Sequence, residues 1–201
     1  MKRLLVTGCA GYIGGTFTFE ALKRGYKVLG IDNFVNSTKK NLNRVSSQNK
    51  ENFKFIELDL SIKSQKLKKS IDEFKPNYVV HFAGLKAVGE SEDTPGKYWR
   101  NNLLSTLNVL ESIPATTKFI FSSSATVYGD SKIQPLTEES KINTNSAYGS
   151  TKVASESVIQ DFSRTKGIQS IILRYFNPIG SHKEYIIYED FRNKPNNLMP
   201  S

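Results

Sequence analysis

The sequence lacks several features that define large classes of protein. Cys9 is the single cysteine among 201 residues, which excludes an internal disulfide framework and a cysteine-based zinc site. No stretch approaches the roughly 20 apolar residues of a membrane-spanning helix. Only three apolar residues follow the charges at the N-terminus, too few for a signal peptide. We therefore expect a cytoplasmic globular protein with no metal site and no membrane contact.

Acidic residues are also scarce relative to basic ones. The chain has 28 Lys and Arg against 19 Asp and Glu, a formal net charge of +9. The cations are mostly lysines scattered along the chain, and the motifs of zinc fingers, basic zippers and RNA-recognition sheets are missing. We interpret the charge as solvated surface and predict no nucleic-acid partner.

Short apolar runs alternate with segments of helical periodicity. The runs predict six strands, at residues 3–6, 27–31, 53–58, 78–82, 118–121 and 170–174. The helical segments lie at residues 12–24, 41–45, 60–74, 97–112 and 147–166. Continuous apolar strands separated by helices are typical of a parallel sheet covered on both faces. The pattern predicts an α/β fold, a doubly wound parallel sheet, over residues 1–180.

The first predicted strand runs into a glycine-rich turn that contains Gly8, Gly11 and Gly14. Such glycines allow a tight turn and a close approach to a pyrophosphate, which then lies at the N-terminus of the following helix. Asp32 ends the second strand, 18 residues beyond Gly14, where a carboxylate can accept hydrogen bonds from an adenosine ribose and repel a 2′-phosphate. The arrangement predicts dinucleotide binding, with NAD favoured over NADP; the alternative is a turn that merely packs.

Tyr148 and Lys152 form a Tyr-x-x-x-Lys pair near the start of a predicted helix, so they share one helical face. An ammonium beside a phenol favours the phenolate, which lowers the phenol pKa toward the range of a general base. A serine run that ends at Ser124 directly follows a buried predicted strand, where side chains meet the ligand crevice. Each motif alone is common on surfaces, but the three in this order predict a catalytic site.

These motifs together resemble the extended short-chain dehydrogenase/reductase family. Four segments resemble the UDP-glucose 4-epimerases within it, namely residues 81–91 (HFAGLKAVGES), 121–129 (FSSSATVYG), 173–178 (LRYFNP) and 195–200 (PNNLMP). The resemblance implies a Rossmann-type NAD-binding fold. It also implies NAD-dependent epimerisation of a UDP-sugar at C4, from UDP-galactose to UDP-glucose, through a transient 4-keto sugar.

The resemblance implies a role for each matching residue. Tyr148 is the implied base, Lys152 tunes it and binds the nicotinamide ribose, and Ser124 bridges the tyrosine and the sugar hydroxyl. These three also belong to the implied NAD contacts, whose other members are Gly8, Gly11, Tyr12, Ile13, Gly14, Asp32, Asn33, Asn36, Ser37, Asp59, Leu60, Phe82, Ala83, Gly84, Lys86, Asn101 and Phe176. The implied substrate contacts are Ser124, Tyr148, Asn177, Asn197 and Leu198.

The length of the chain leaves alternatives open. Members of the family continue into a substrate-binding lobe, so residues 181–201 are expected to be the start of a truncated substrate-binding region. An NAD-binding fragment without turnover is one alternative. A sugar-nucleotide dehydratase is another, disfavoured because Ala125 and Thr126 stand where those enzymes usually carry an Asp-Glu pair. The resemblance further implies a homodimer formed through the helices at residues 97–112 and 147–166.

Overall fold

A computed structural model describes residues 1–182. One six-stranded sheet runs through it in the order β3-β2-β1-β4-β5-β6, and all neighbouring strands are parallel. The strands are β1 (Arg3–Thr7), β2 (Lys27–Asp32), β3 (Phe53–Glu57), β4 (Tyr78–His81), β5 (Lys118–Ser124) and β6 (Ser170–Tyr175). The predicted α/β fold with a doubly wound parallel sheet is confirmed.

Helices connect the strands and cover the sheet. They are α1 (Tyr12–Lys23), α2 (Lys39–Ser47), α3 (Gln65–Phe74), α4 (Val88–Asp93), α5 (Pro95–Tyr98), α6 (Leu104–Ser112) and α7 (Ala147–Lys166). A π-helical turn (Trp99–Leu103) joins α5 to α6, and a 3₁₀ turn (Ala125–Tyr128) follows β5. Within residues 1–182, none of these helices is long and apolar enough to cross a membrane.

The core divides into two layers because neighbouring strand residues point to opposite faces of the sheet. Leu5 of β1 packs into a layer with Val79, Phe119 and Ile159. Its neighbours Leu4 and Val6 belong to the second layer, beneath α1 and α2. Helices that bury both faces explain why the strands read as continuous apolar runs.

Three local features differ from the sequence prediction. The helix expected at residues 60–74 begins only at Gln65, because the Ser64 hydroxyl accepts the Lys66 N–H at 3.2 Å and caps it there. The helix expected at residues 97–112 contains the π-helical turn, and α4 has no counterpart among the predicted elements. The six residues of α4 are too few to show a helical period.

The strand order reverses beside β1, which lies between β2 and β4. Connections on the two sides of this point leave in opposite directions, which opens a crevice at the carboxyl ends of the strands. The glycine turn after β1, Asp32 at the end of β2 and Ser124 at the end of β5 all lie along this edge. The fold therefore brings the separate sequence motifs to one side of the sheet.

Candidate active site

The turn after β1 requires glycine for steric reasons. Gly8 has a φ of +70°, and a Cβ there would lie 2.9 Å from the Ala83 backbone nitrogen. A Cβ on Gly14 would lie 2.2 Å from the carbonyl oxygen of Gly8. The missing side chains let the turn, the first turn of α1 and the end of β4 come into close contact.

The N-terminus of α1 has the character of an anion site. Gly11 is its N-cap residue with extended backbone, no side chain caps the helix, and its first turn contains no acidic residue. The N–H groups of a first helical turn have no partner within the helix, and the helix dipole adds partial positive charge there. Tyr12 and Ile13 begin this turn, so the geometry fits a pyrophosphate.

Asp32 is 8% exposed and links the glycine turn to the loop after β2. Its carboxylate accepts the Ala10 N–H at 2.9 Å, the Phe34 N–H at 2.9 Å and the Ser37 hydroxyl at 2.7 Å. A carboxylate offers about four acceptor positions, so one further donor such as a ribose hydroxyl fits. Asn33 and Asn36 lie in the same loop.

Other predicted NAD residues follow β3 and β4 at the same edge. Asp59 accepts the backbone N–H and the hydroxyl of Ser61 at 2.8 and 2.7 Å, and the neighbouring Leu60 is buried. Phe82 and Ala83 follow β4 and are half-buried. A Cβ on Gly84 would lie 3.1 Å from Asn102 Oδ1 and 3.9 Å from Lys152 Nζ. Lys86 is exposed.

The three predicted catalytic side chains meet at the end of β5. Tyr148 and Lys152 are 8% and 6% exposed, and Ser124 lies close enough to the Tyr148 phenol to lower its pKa. Lys152 Nζ donates to the Ser122 carbonyl oxygen at 2.8 Å. The same Nζ lies 4.8 Å from the centroid of the Phe121 ring and 5.8 Å from that of Tyr148.

Burial dominates the electrostatics of this group. It lowers the pKa of Lys152 to about 8, against the opposing effect of the Glu156 charge. Burial also raises the pKa of Tyr148, while the hydrogen bond from Ser124 lowers it. The pKa of Tyr148 is therefore raised in this structure, opposite to the lowering expected from its pairing with Lys152. The Lys152 ammonium bonds to the Ser122 carbonyl oxygen, and burial is the largest cause of the Tyr148 shift.

Side chains from α4 hold the start of α7. Ser91 Oγ accepts the Tyr148 N–H at 3.0 Å, and Glu92 Oε1 accepts the Ala147 N–H at 2.7 Å. Ser146 is the N-cap residue of α7, and its Oγ accepts the Gly149 N–H at 3.0 Å. Ser146 directly precedes the helix, where a serine indicates an N-cap. Ser91 and Glu92 lie 55 or more positions before their partners in α7, so no local sequence signal points to these contacts.

Asn102 is a site residue that sequence reasoning missed in favour of its neighbour. It is 3% exposed, and its amide accepts the Leu85 N–H at 2.7 Å and donates to the Leu85 carbonyl and the Thr151 hydroxyl. The bonds fix the loop after β4 against α7. Asn101, the predicted NAD contact, is half-buried in the same π-helical turn, a feature that often marks functional sites.

The remaining predicted contacts lie at the chain's later part. Phe176 is 64% exposed and Asn177 is also exposed, both after the end of β6. Asn197 and Leu198 lie outside the described residues.

Comparison with known proteins places this site in a family. The family model described as "NAD dependent epimerase/dehydratase family" matches residues 4–201. The chain belongs to this family. The predicted resemblance to UDP-glucose 4-epimerases is also confirmed: the chain is 43% identical over 201 residues to the UDP-glucose 4-epimerase of Haemophilus influenzae, covering 98% of this chain and 59% of that protein.

Two solved structures of family members superimpose on this chain. A UDP-glucose 4-epimerase from Stenotrophomonas maltophila, with bound NAD and formylated UDP-arabinopyranose, gives a TM-score of 0.91 at 31% identity. The enzyme from Bifidobacterium longum, in complex with NAD⁺ and UDP, gives 0.90 at 39% identity. Each alignment covers 98% of this chain and 60% of the other. The chain thus spans about three fifths of the length of these relatives.

Proposed function

We propose that this chain carries the NAD-binding and catalytic residues of a UDP-sugar 4-epimerase, which interconverts UDP-galactose and UDP-glucose. The observation that carries the proposal is the meeting of Ser124, Tyr148 and Lys152 at the carboxyl end of β5. They lie beside a glycine turn that fits a pyrophosphate. The relatives with the same fold are UDP-glucose 4-epimerases with bound NAD or UDP-sugars.

The residues present fit NAD as cofactor. Gly8, Gly11 and Gly14 would hold its pyrophosphate at the start of α1, and Asp32 would hold the adenosine ribose. When bound, NAD would accept a hydride from C4 of the sugar and return it to the opposite face, through a 4-keto sugar. The further contacts proposed are Tyr12, Ile13, Asn33, Asn36, Ser37, Asp59, Leu60, Phe82, Ala83, Gly84, Lys86, Asn101 and Phe176.

The protein's own contribution is proton transfer and orientation. The Tyr148 phenolate would take the proton of the sugar 4-hydroxyl and give it back after the carbonyl has formed and been reduced. Ser124, which lies beside Tyr148, would bridge this phenol and the sugar hydroxyl. The Lys152 ammonium would bind the nicotinamide ribose and would counteract the raising of the Tyr148 pKa by burial.

The domain assignment belongs to the same proposal. Residues 1–180 would form the NAD-binding domain with the catalytic Ser, Tyr and Lys, and residues 181–201 would begin the substrate-binding region. Asn177, together with Asn197 and Leu198, would contact the UDP-sugar. The chain covers only 59% of a relative such as the Haemophilus influenzae enzyme, so substrate binding by the 201-residue chain requires a direct test.

The test is interconversion of UDP-galactose and UDP-glucose by the purified chain with excess NAD⁺. Turnover should vanish in Tyr148→Phe while NAD binding, measured by calorimetry, persists. Tyr26→Phe is the matched control, since Tyr26 packs beneath the other face of the sheet. A Tyr148→Phe variant with undiminished turnover would refute the proposed base.

A second candidate is an NAD-binding chain without turnover, favoured by the three-fifths coverage of relatives. NAD binding without interconversion would support it. A sugar-nucleotide dehydratase is less consistent with the site, because the 3₁₀ turn after Ser124 begins with Ala125 and Thr126 and not with carboxylates. Release of a 4-keto-6-deoxy sugar nucleotide would identify that activity.

A homodimer is proposed on the surface of α5, α6 and α7. Trp99 of the π-helical turn and Leu104 of α6 are 38% and 39% exposed in elements that contact α7, and exposed large apolar side chains are typical of protein interfaces. Sedimentation of the chain and of Trp99→Glu tests this pairing. The cytoplasmic location stays a prediction, to be tested by cell fractionation.

A further inference from the structure

The last three residues of β5 contact α7 in three different ways. The carbonyl oxygen of Ser122 accepts an N–H of the Lys152 ammonium at 2.8 Å, and Ser124 lies beside Tyr148. Between them, the Ser123 hydroxyl donates to Glu156 Oε1 at 2.5 Å. The middle contact thus ties the segment to a residue with no role in the proposed chemistry.

Glu156 is the buried end of an ion pair. It is 2% exposed and accepts Arg174 Nε–H at 3.1 Å on one oxygen and Nη2–H at 2.7 Å on the other. Arg174 lies opposite Ser123 in the β5–β6 pairing, and its guanidinium also donates to the Tyr128 hydroxyl at 2.9 Å. The carboxylate thereby joins α7, β5, β6 and the 3₁₀ turn.

Glu156 also stands one helical turn beyond Lys152, on the same face of α7. The carboxylate charge raises the pKa of Lys152, which burial alone would depress further. A buried ammonium needs such a charge nearby to stay protonated near neutral pH.

Other titratable groups near Lys152 have different surroundings. Those on its own helix or on elements packed against α7, together with His81 of β4, are Tyr148, Asp161, Arg164, Lys166, Glu90, Glu92, Asp93, Lys97, Tyr98, Arg100, Glu111, Lys118, Tyr128, Arg174 and Tyr175. Glu90 bonds to Lys97 and Tyr98. Glu92 accepts the N–H of Ala147, the first residue of α7.

We infer that Glu156 is a positioning residue for the epimerase site, which fixes the serine segment through Ser123 and places a negative charge one helical turn from the Lys152 ammonium. The inference rests on the proposed function for its catalytic meaning. Arg174 bonds to the Glu156 carboxylate directly, whereas Lys152 is influenced by its charge from one helical turn away, so the two cations are linked through it. Removing the negative charge and removing the competing positive charge must then act on Lys152 in opposite directions.

The test is a pH titration of Lys152 in the full chain, followed by NMR of ¹³C,¹⁵N-labelled lysine, with Lys152→Met identifying the signal. Glu156→Gln should lower the pKa of Lys152 by about one unit. Arg174→Gln should raise it. The matched control is Asp161→Asn, which removes an exposed carboxylate of the same helix paired with Arg164, and should leave the value unchanged.

Ser123→Ala separates the effect of the Glu156 charge from the effect of moving the serine segment. It removes the hydrogen bond between Ser123 and Glu156 but keeps the Glu156 carboxylate. The pKa of Lys152 should stay at its original value. The inference would be overturned if Ser123→Ala changed the Lys152 pKa as much as Glu156→Gln does. It would also be overturned if Glu156→Gln and Arg174→Gln shifted the Lys152 pKa in the same direction. If Glu156→Gln does not fold, Arg174→Gln alone decides, and an unchanged Lys152 pKa there counts against it.

The titration needs no turnover, so its outcome is independent of the proposed function. A chain with the expected shifts but without interconversion contradicts the proposed activity and keeps the electrostatic role. Where turnover occurs, the alkaline limb of the pH profile of kcat should move to lower pH in Glu156→Gln and to higher pH in Arg174→Gln. A structural role alone would lower kcat without moving this limb.

Discussion

Thr7 Oγ1 and His81 Nδ1 are 2.7 Å apart inside the sheet. Thr7 Oγ1 also accepts the Ala83 N–H at 3.2 Å, so the same hydroxyl contacts His81 and the end of β4. On the other side Nε2 lies 3.3 Å from Thr106 Oγ1, which donates to the Asn102 carbonyl. Burial lowers the pKa of His81 and favours the neutral imidazole, which links Thr7, before the glycine turn, to Thr106 of α6.

The first prediction concerns the acid stability of this linkage. Burial, with the nearby Lys152 charge, lowers the pKa of His81 to about 3. The unfolded chain, with an ordinary histidine pKa near 6.5, thus binds more protons, and stability falls as pH drops below about 6.5. Between pH 7 and pH 5, the free energy of unfolding of the wild-type chain should fall by about 2 kcal/mol more than that of His81→Gln. Urea unfolding at both pH values measures the difference; equal losses in the two chains would contradict it.

The second prediction concerns the glycine turn. In Gly14→Ala the new methyl group would meet the Gly8 carbonyl oxygen, which belongs to the backbone and cannot rotate away. We expect a loss of about 1–3 kcal/mol in the free energy of unfolding and weaker NAD binding. Gly89→Ala is the control, since its Cβ meets no atom within 4 Å. Urea unfolding and calorimetry with NAD⁺ compare the two variants, and similar values for both would rule out the steric argument.

The third prediction separates two adjacent asparagines. Asn102→Ala leaves the buried Leu85 N–H and carbonyl and the Thr151 hydroxyl without their partner, at a cost of about 3 kcal/mol in stability. Asn101→Ala removes a half-buried side chain proposed to contact NAD, and should weaken NAD binding with little change in stability. Thermal unfolding and NAD titration of both variants decide. Equal destabilisation by the two substitutions would be incompatible with the structure.

The fourth prediction concerns the contact between α4 and α7. Ser91→Ala removes the acceptor of the Tyr148 N–H and should cost about 1–2 kcal/mol in stability. Because Tyr148 moves with its backbone, turnover should fall as well. Ser64→Ala removes a comparable cap from α3, far from Tyr148 in sequence and on another helix. Ser64→Ala should lower the free energy of unfolding by a similar amount and leave turnover unchanged. If both variants lost turnover equally, the loss would reflect lower stability and not the position of Tyr148.

The sequence allowed the sheet to be predicted, and the meeting of Ser124, Tyr148 and Lys152 to be expected, because their signals are local. Tyr148 and Lys152 lie one turn apart, and the apolar runs of the strands are continuous. Ser91, Glu92, Asn102 and Glu156 could not be found in this way. Their roles depend on partners in other elements, such as Arg174 for Glu156, and polar residues in helices give no periodic signal. The direction of the Tyr148 pKa also depends on burial, which the spacing alone does not reveal.

The sheet order carries a consequence for synthesis of the chain. β1 is made first but lies between β2 and β4, and its pairing with β4 joins residues such as Thr7 and His81, 74 positions apart. At roughly 5–20 residues per second on the ribosome, several seconds separate the two strands. During that interval one edge of β1 has no strand beside it. The glycine turn can reach its final form only after the segment that ends at Ala83 has emerged.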